Sequence, residues 1–243
     1  FTVSPSELVS VGLFVGAGKS KTDFEVLNSD IDSDFRQGGL IAAFSFTKAF
    51  SLVADLSITK FSNESKKIVP TLDVLTADYS QNIFSLGLEA SYGIRLGSAA
   101  TVKPFFEVRY QSLSQSEVTE SGGSLAQSLE KISLDKFTTT LGLDLSYDFV
   151  SSRSLVVSPK LSLAWRHEFG DRQARARAEY VGSPGFFIVE SLKSDRDQGL
   201  VGVALDVQPG GPDGVLALEL GYEFGVSANT KEHNFYLTVD VSW

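Results

Sequence analysis

Apolar and polar residues alternate with a period of two along most of the chain. In residues 137–149, large apolar side chains occupy most odd positions and polar or small ones the even positions. The same alternation runs through 50–60, 84–95 and 216–225. Successive side chains of a β-strand point to opposite sides, so this period is that of a strand with two different faces. The pattern therefore predicts an all-β protein.

The alternating segments are longer than the strands of most soluble β-proteins. Soluble strands usually have about five or six residues, whereas a tilted strand of about a dozen, such as 137–149, can cross a bilayer. Aromatic residues near the predicted strand ends resemble the girdles of membrane barrels at the two interfaces. They are Tyr92, Tyr110, Tyr147, Trp165, Tyr222 and Trp243. These features favour an antiparallel up-and-down transmembrane β-barrel over a soluble barrel.

Twelve strands account for the alternating segments and the turns between them. The predicted ranges are 7–17, 37–47, 50–61, 82–95, 101–113, 135–149, 154–169, 173–181, 185–191, 198–207, 214–226 and 232–243. A turn cluster at 182–185 separates the eighth strand from the ninth. An even number, with long connections at 18–36, 62–81 and 114–134 alternating with short turns, is typical of a bacterial outer-membrane barrel. We expect one barrel domain over 1–243 with both termini in the periplasm.

Composition and charge exclude several classes of function. The chain has no Cys and two His, which leaves little material for a zinc site or a histidine-activated nucleophile. With 21 Lys and Arg against 30 Asp and Glu, the net charge of −9 has the wrong sign for nucleic acid. Residues 16–20, Gly-Ala-Gly-Lys-Ser, lack the earlier glycine that a phosphate-binding loop requires. We expect no cofactor, no metal and no catalytic residue.

Charged residues fall mainly on the polar faces of the predicted strands. A Lys or Arg facing the bilayer midplane would cost about 2–4 kcal/mol, so these residues are expected inside the barrel. The candidate pore-lining residues are Glu89, Arg95, Lys103, Glu107, Arg109, Asp144, Lys160, Arg166, Arg175, Arg177, Asp206, Glu219, Glu223 and Asp240. They could line a hydrated path, or form a salt-bridge network that only stabilises the wall. A twelve-stranded lumen could hold one helix or an extended chain in passage.

The last third of the chain resembles a known family. Residues 159–171, with the sequence PKLSLAWRHEFGD, are similar to a stretch of autotransporter β-domains, the C-terminal translocators of type V secretion. The resemblance continues over 187–189, 194–197, 199–203 and 218–222. Trp243 fits the terminal aromatic residue that the outer-membrane assembly machinery reads in such barrels. Val241 departs from the aromatic residue that usually stands two positions earlier.

The resemblance implies a transporter module rather than an enzyme. The barrel would sit in the outer membrane of a Gram-negative bacterium and export an N-terminal passenger that is absent from this chain. Its expected partners are outer-membrane lipid, the passenger with its linker helix, and the barrel assembly machinery. Two alternatives stay open: a stand-alone porin-like channel for small solutes, and a soluble β-barrel binding module. The residues upstream of Phe1 would distinguish the porin-like channel from an exporter. Extraction without detergent would distinguish the soluble module from a membrane barrel.

Overall fold

The computed structural model describes residues 2–6, 8–24, 28–69, 73–150, 155–170, 172–191, 193–209 and 216–241. None of these residues forms a helix with the length and hydropathy of a membrane span. The strands are β1 Thr2–Ser6, β2 Val9–Phe24, β3 Ser29–Ser45, β4 Phe50–Val69, β5 Asp73–Tyr92, β6 Ile94–Leu96, β7 Ala100–Gln115, β8 Val118–Thr119, β9 Gln127–Leu129, β10 Ile132–Tyr147, β11 Phe149–Val150, β12 Leu155–Gly170, β13 Arg175–Tyr180, β14 Phe187–Glu190, β15 Asp197–Pro209, β16 Leu216–Val226 and β17 Lys231–Val241.

Most strands belong to one curled antiparallel sheet, which we call the wall. Its order is β1-β2-β3-β4-β5-β7-β10-β12-β15-β16-β17, with the short β6 and β11 paired to β7 and β12. Each long strand lies beside the next long strand of the chain, which is the up-and-down arrangement of a meander. The prediction of an all-β, antiparallel up-and-down architecture is confirmed.

Two of the twelve predicted wall strands lie elsewhere. Residues 173–181 and 185–191 contain β13 and β14, which join β8 and β9 in a second sheet, the loop sheet, of order β14-β13-β9-β8. β12 instead pairs directly with β15. The prediction was wrong because a turn between two short alternating segments identifies a hairpin but not the sheet to which it belongs. The ten remaining predicted strands all lie in the wall, where the short β1, which was not predicted, adds a further strand beside β2.

Two of the predicted long loops are also strands. β2 and β3 stay paired as far as Phe24 and Ser29, and β4 and β5 as far as Val69 and Asp73. Alternation fades in 18–36 and 62–81 because both faces of these extensions carry polar residues, although the backbone pairing continues. One such pair is Lys19 with Asp34, whose Nζ and Oδ1 atoms lie 3.1 Å apart.

One face of the wall carries exposed apolar side chains. Val15 is 82% exposed, Leu141 59% and Leu220 61%, so these rows do not pack against one another. On β10 the apolar row runs from Phe137 to Tyr147, which is ten residue steps. At about 3.3 Å per residue and a tilt of about 40°, it spans roughly 25 Å, the usual height of the apolar band of an outer-membrane barrel.

Aromatic rings cluster near both ends of this apolar face. At the end with the short turns, the ring centroids of Tyr147 and Phe149 are 4.6 Å apart. Near the opposite end, those of Phe137 and Phe169 are 6.0 Å apart. Trp243, which the sequence pattern also placed in a girdle, lies outside the described residues.

Glycines on the polar face lie directly opposite aromatic residues of the neighbouring strand. The pairs are Gly39 with Phe14, Gly18 with Phe35, Gly142 with Phe105, and Gly221 with Tyr236. A Cβ atom at any of these glycines would overlap the facing ring. Each ring therefore covers glycine backbone, a contact that only a residue without a side chain allows.

The loop sheet packs against the end of β5 that lies farthest from the short turns. Thr76 and Ser121 exchange two backbone hydrogen bonds, of 2.9 and 2.8 Å. The most deeply buried apolar residues lie here, with Leu75 and Ala178 each 1% exposed. This small core fixes the loop sheet to the end of the wall where the long connections are.

Candidate functional site: charged clusters on the polar face

Arg109 on β7 is the centre of the first cluster. Its Nη1 and Nη2 atoms donate to the two carboxylate oxygens of Asp55, both at 2.9 Å, and its Nε donates to Glu107 at 2.6 Å. Asp55 lies on β4, one strand beyond β5, and Gly87 occupies the position between them. A Cβ atom at Gly87 would meet both Asp55 and Arg109. The glycine therefore lets the guanidinium reach across a whole strand.

Lys103 and Lys160 are centres of two similar clusters. The Nζ of Lys103 lies 3.1 Å from Asp144 and 4.0 Å from Glu89. The Nζ of Lys160 lies 3.2 Å from Asp206 and also pairs with Glu219. Each of the three cations is thus held by two carboxylates from more than one strand, which leaves every cluster with one excess negative charge.

A cavity of about 440 Å³ joins the two lysine clusters on the polar face. Lys103, Asp144, Lys160, Glu219 and Glu223 all line it. These five candidates come from β7, β10, β12 and β16. The fold therefore brings together residues that are up to 120 positions apart in the sequence, as Lys103 and Glu223 are.

The remaining wall candidates are more peripheral. Arg166 donates from Nη1 to the Oε1 of Gln198 at 3.3 Å. Arg95 is exposed on β6, opposite Thr101 in the strand register. The backbone of Asp240 lies opposite Ala217.

Arg175 and Arg177 are not wall residues, which corrects their predicted position. Both lie on β13 of the loop sheet. The Nε of Arg175 is 2.8 Å from Glu190, and the guanidinium carbon of Arg177 lies 3.8 Å from the ring centroid of Phe186. They were misplaced together with their strand, because alternation alone does not show which sheet a strand joins.

Lys136 and Glu168 form a pair that the candidate set did not include. The Nζ of Lys136 donates to Glu168 at 3.1 Å, and the hydroxyl of Ser194 donates to the same carboxylate at 2.7 Å. Lys136 continues the even, polar positions of 137–149 by one step. Extending the alternation beyond the apolar residues would have found it.

Both histidines lie on the apolar face near the aromatic clusters. The Nδ1 of His167 is 2.8 Å from Asp197, and the hydroxyl of Tyr222 is 2.8 Å from the Nδ1 of His233. Within the described part of the chain, no three His, Asp or Glu side chains are grouped so that they could hold a metal ion.

Asp195 ties the connection before β15 to the β16–β17 turn. Its carboxylate accepts hydrogen bonds of 2.7 Å each from the Ser227 hydroxyl and from the backbone and side-chain nitrogens of Asn229. These hydrogen bonds, of which that from Ser227 has the largest effect, hold the pKa of Asp195 below its ordinary value of 3.8. The tie connects a long loop to a hairpin two strands away.

We expect this tie to open in acid. Because the folded-state pKa is lowered, the carboxylate stabilises the closed loop above its ordinary pKa and loses that effect as the pH falls through the lowered value. Amide hydrogen exchange of residues 227–230 should be slow near neutral pH and faster, after correction for intrinsic rates, in strong acid. Asp195→Ala should exchange fast at both pH values. Equal protection in the variant and the parent near neutral pH would contradict the assignment.

Comparison with known proteins places the chain in a family. Residues 2–215 match the model of the family described as Autotransporter beta-domain. An uncharacterised protein named YaiT from Salmonella typhimurium is 22% identical over 169 residues, 68% of this chain and 17% of that protein. An extracellular serine protease of Serratia marcescens is 23% identical over 158 residues, 65% of this chain and 15% of the protease. The chain thus spans about a sixth of the length of these relatives.

Two solved structures share the fold. The translocator domain of autotransporter NalP from Neisseria meningitidis superimposes with a TM-score of 0.79 at 14% identity, covering 99% of this chain and 77% of that one. The β domain of the Bordetella autotransporter BrkA gives a TM-score of 0.71 at 15% identity, covering 100% and 86%. The family match extends over most of the sequence, and these likenesses show the same barrel fold. The chain therefore belongs to the autotransporter β-domain family, the outer-membrane translocator barrels of type V secretion in Gram-negative bacteria.

Proposed function

We propose that this barrel exports a passenger attached to its N-terminal side and anchors it in the outer membrane. The observation that carries the proposal is the division of the wall into an exposed apolar face and a face with three charged clusters. An apolar outer face matches lipid, and a polar inner face keeps water in the lumen. The relatives are several times longer than this chain, which fits a barrel attached to a larger exported region.

The charged clusters support two roles for the lumen. The paired cations Lys103, Arg109 and Lys160 bind neighbouring strands together, which is the stabilising role. Glu223 lines the cavity and makes no ion pair within the described ranges, so its charge is left to hydrate the path. We infer that the wall candidates face the lumen, where a linker helix or an extended chain would meet a wet surface that is acidic on balance.

We infer the orientation from the lengths of the connections. We place the short turns and both chain ends in the periplasm, and the loop sheet outside the cell, as is usual for outer-membrane barrels. Residues 1–243 would then act as one domain, inserted by the barrel assembly machinery and surrounded by outer-membrane lipid. The barrel itself would take no part in catalysis, so any enzymatic activity of the whole protein would belong to the passenger.

Single-cysteine labelling tests the lumen and the orientation together, because the chain has no native Cys. We expect Ser183→Cys, in the turn between β13 and β14, to react with a membrane-impermeant maleimide on intact cells. Lys48→Cys, in the turn between β3 and β4, should react only after the outer membrane is permeabilised. In purified barrels in lipid, Glu223→Cys should react faster than Tyr222→Cys, its neighbour on the apolar face. Labelling of Lys48→Cys on intact cells would reverse the orientation, and faster reaction of Tyr222→Cys would reverse the faces.

Export itself is tested with the full-length protein. Deleting 1–243 should abolish surface display of the passenger, measured with an antibody on intact cells, while the passenger remains detectable inside. Display that persists without the barrel would contradict the proposal. Permeation of small solutes without any passenger on the surface would favour the porin-like alternative.

A further inference from the structure

We propose that Arg36 and Lys60 form a binding site for the phosphate groups of the outer-leaflet glycolipid. The inference rests on the orientation given above, in which the loop sheet lies outside the cell. It concerns a part of the apolar face that the export of a passenger does not use.

Arg36 and Lys60 lie directly opposite each other on β3 and β4. They share a face with Ile58, which is 58% exposed, because residues two apart on a strand point to the same side. Phe35 and Phe61, whose ring centroids are 5.8 Å apart, point to the other face. Two cations therefore stand side by side on the surface that meets lipid.

Their height matches the level of lipid headgroups. Ile58 lies opposite Phe84, whose ring is 6.4 Å from that of Tyr110 in the outer aromatic row. Lys60 is two residues farther along β4, about 7 Å toward the loop end at a strand rise of about 3.3 Å. Headgroup phosphates lie just beyond the apolar band, where basic side chains favour anionic lipids.

The charge of this pair is not balanced by any residue that the structure describes. Like charges directly across a strand pair destabilise it, yet neither Arg36 nor Lys60 has an ion-pair partner among the described residues. The nearby Asp34 is engaged by Lys19 at 3.1 Å. The next acid on this face of β3, Asp32, is about 13 Å from Arg36 along the strand. A bound anion would remove the repulsion.

The surface has room for such an anion. An open cavity of about 710 Å³ is lined by Arg36 and Lys60 together with Ala17, Lys19, Asp34 and Ser62. Gly38 lies between Val15 and Ile58 on the neighbouring strands and has no side chain. The surface next to the two cations, on the side toward the bilayer centre, is therefore open. A guanidinium binds phosphate through two parallel hydrogen bonds and the ammonium adds a point charge. The acyl chain of the lipid would continue from there along the apolar face toward the short-turn end.

Binding of bisphosphorylated lipid A to the full chain in detergent tests the site. The double variant R36Q/K60Q should bind about 30-fold more weakly, at about 1 kcal/mol per cation. The matched control K48Q/K66Q removes the same charge, since Lys48 lies at the short-turn end and Lys66 lies six residues beyond Lys60 on the same face. It should bind like the parent. The swapped variant R36K/K60R keeps both positive charges and should retain binding. It therefore tests the charges even if R36Q/K60Q perturbs the local sheet.

Four results would overturn the proposal, the first three of them in the binding comparison itself. They are unchanged affinity in R36Q/K60Q, an equal loss in the control, and equal binding of dephosphorylated lipid A by the parent. Displacement of the lipid by millimolar inorganic phosphate would mean a general anion site and would also overturn it. None of these results alters the cysteine labelling or passenger display, so failure of this inference and failure of the proposed function are distinguishable.

Discussion

Replacing Arg109 by Met should lower the free energy of unfolding by about 2–3 kcal/mol. Removing one member of a buried ion pair leaves an uncompensated charge and costs about 3–5 kcal/mol. The side chains here are 20–30% exposed, which reduces the cost. The variant would leave the half-buried carboxylates of Asp55 and Glu107 without their cation. Urea titration of the barrel in lipid vesicles measures the change.

Arg95 provides the matched control for this prediction. It is an exposed arginine on β6 with no ion pair among the residues that the structure describes. Arg95→Met should change stability by less than about 0.5 kcal/mol. Adding Asp55→Asn to Arg109→Met should restore part of the loss, because it removes one of the unpaired charges. Equal effects of the two arginine variants would show that the cluster contributes little.

Replacing Leu141 by Arg should also destabilise the barrel, by about 2–4 kcal/mol in lipid, the cost of an arginine near the bilayer midplane. Leu141 is 59% exposed and lies between Phe137 and Tyr147, the two ends of the apolar row on β10. The long side chain cannot reach either interface without distortion.

The same substitution at Ala204 tests the opposite face. Ala204 lines the charged cavity beside Glu219 and Glu223, so an arginine there has water and carboxylates as partners. We expect Ala204→Arg to cost less than half as much as Leu141→Arg, measured by urea titration in the same vesicles. A larger loss at Ala204 would mean that the assignment of the two faces to lipid and water is inverted.

The sequence predicts the membrane-embedded part of this fold well, because lipid on one side and water on the other impose a strict alternation. In 137–149 the predicted sides of Phe137, Leu141 and Asp144 agree with the strand register. Outside the membrane both faces meet water, and the alternation no longer reports pairing. For that reason the extensions of β2 to β5 were predicted as loops, and β13 and β14 were assigned to the wall.

The charged clusters were predictable only as a set of inward charges. Their pairing depends on which strands are neighbours and on register, and a one-residue shift would move every side chain to the other face. The bridge from Arg109 to Asp55 depends in addition on Gly87, a residue with no chemistry of its own. No pattern within a single strand predicts a contact between the two outer strands of three neighbours.

The glycines beneath Phe14, Phe105 and Tyr236 also affect how wide the barrel is inside. A ring that rests on bare backbone lies along the wall instead of standing out from it. We therefore expect each of these side chains to thicken the polar face by less than its own length, which would leave more of the lumen open. Large aromatic residues can in this way occupy the polar face without projecting far from it.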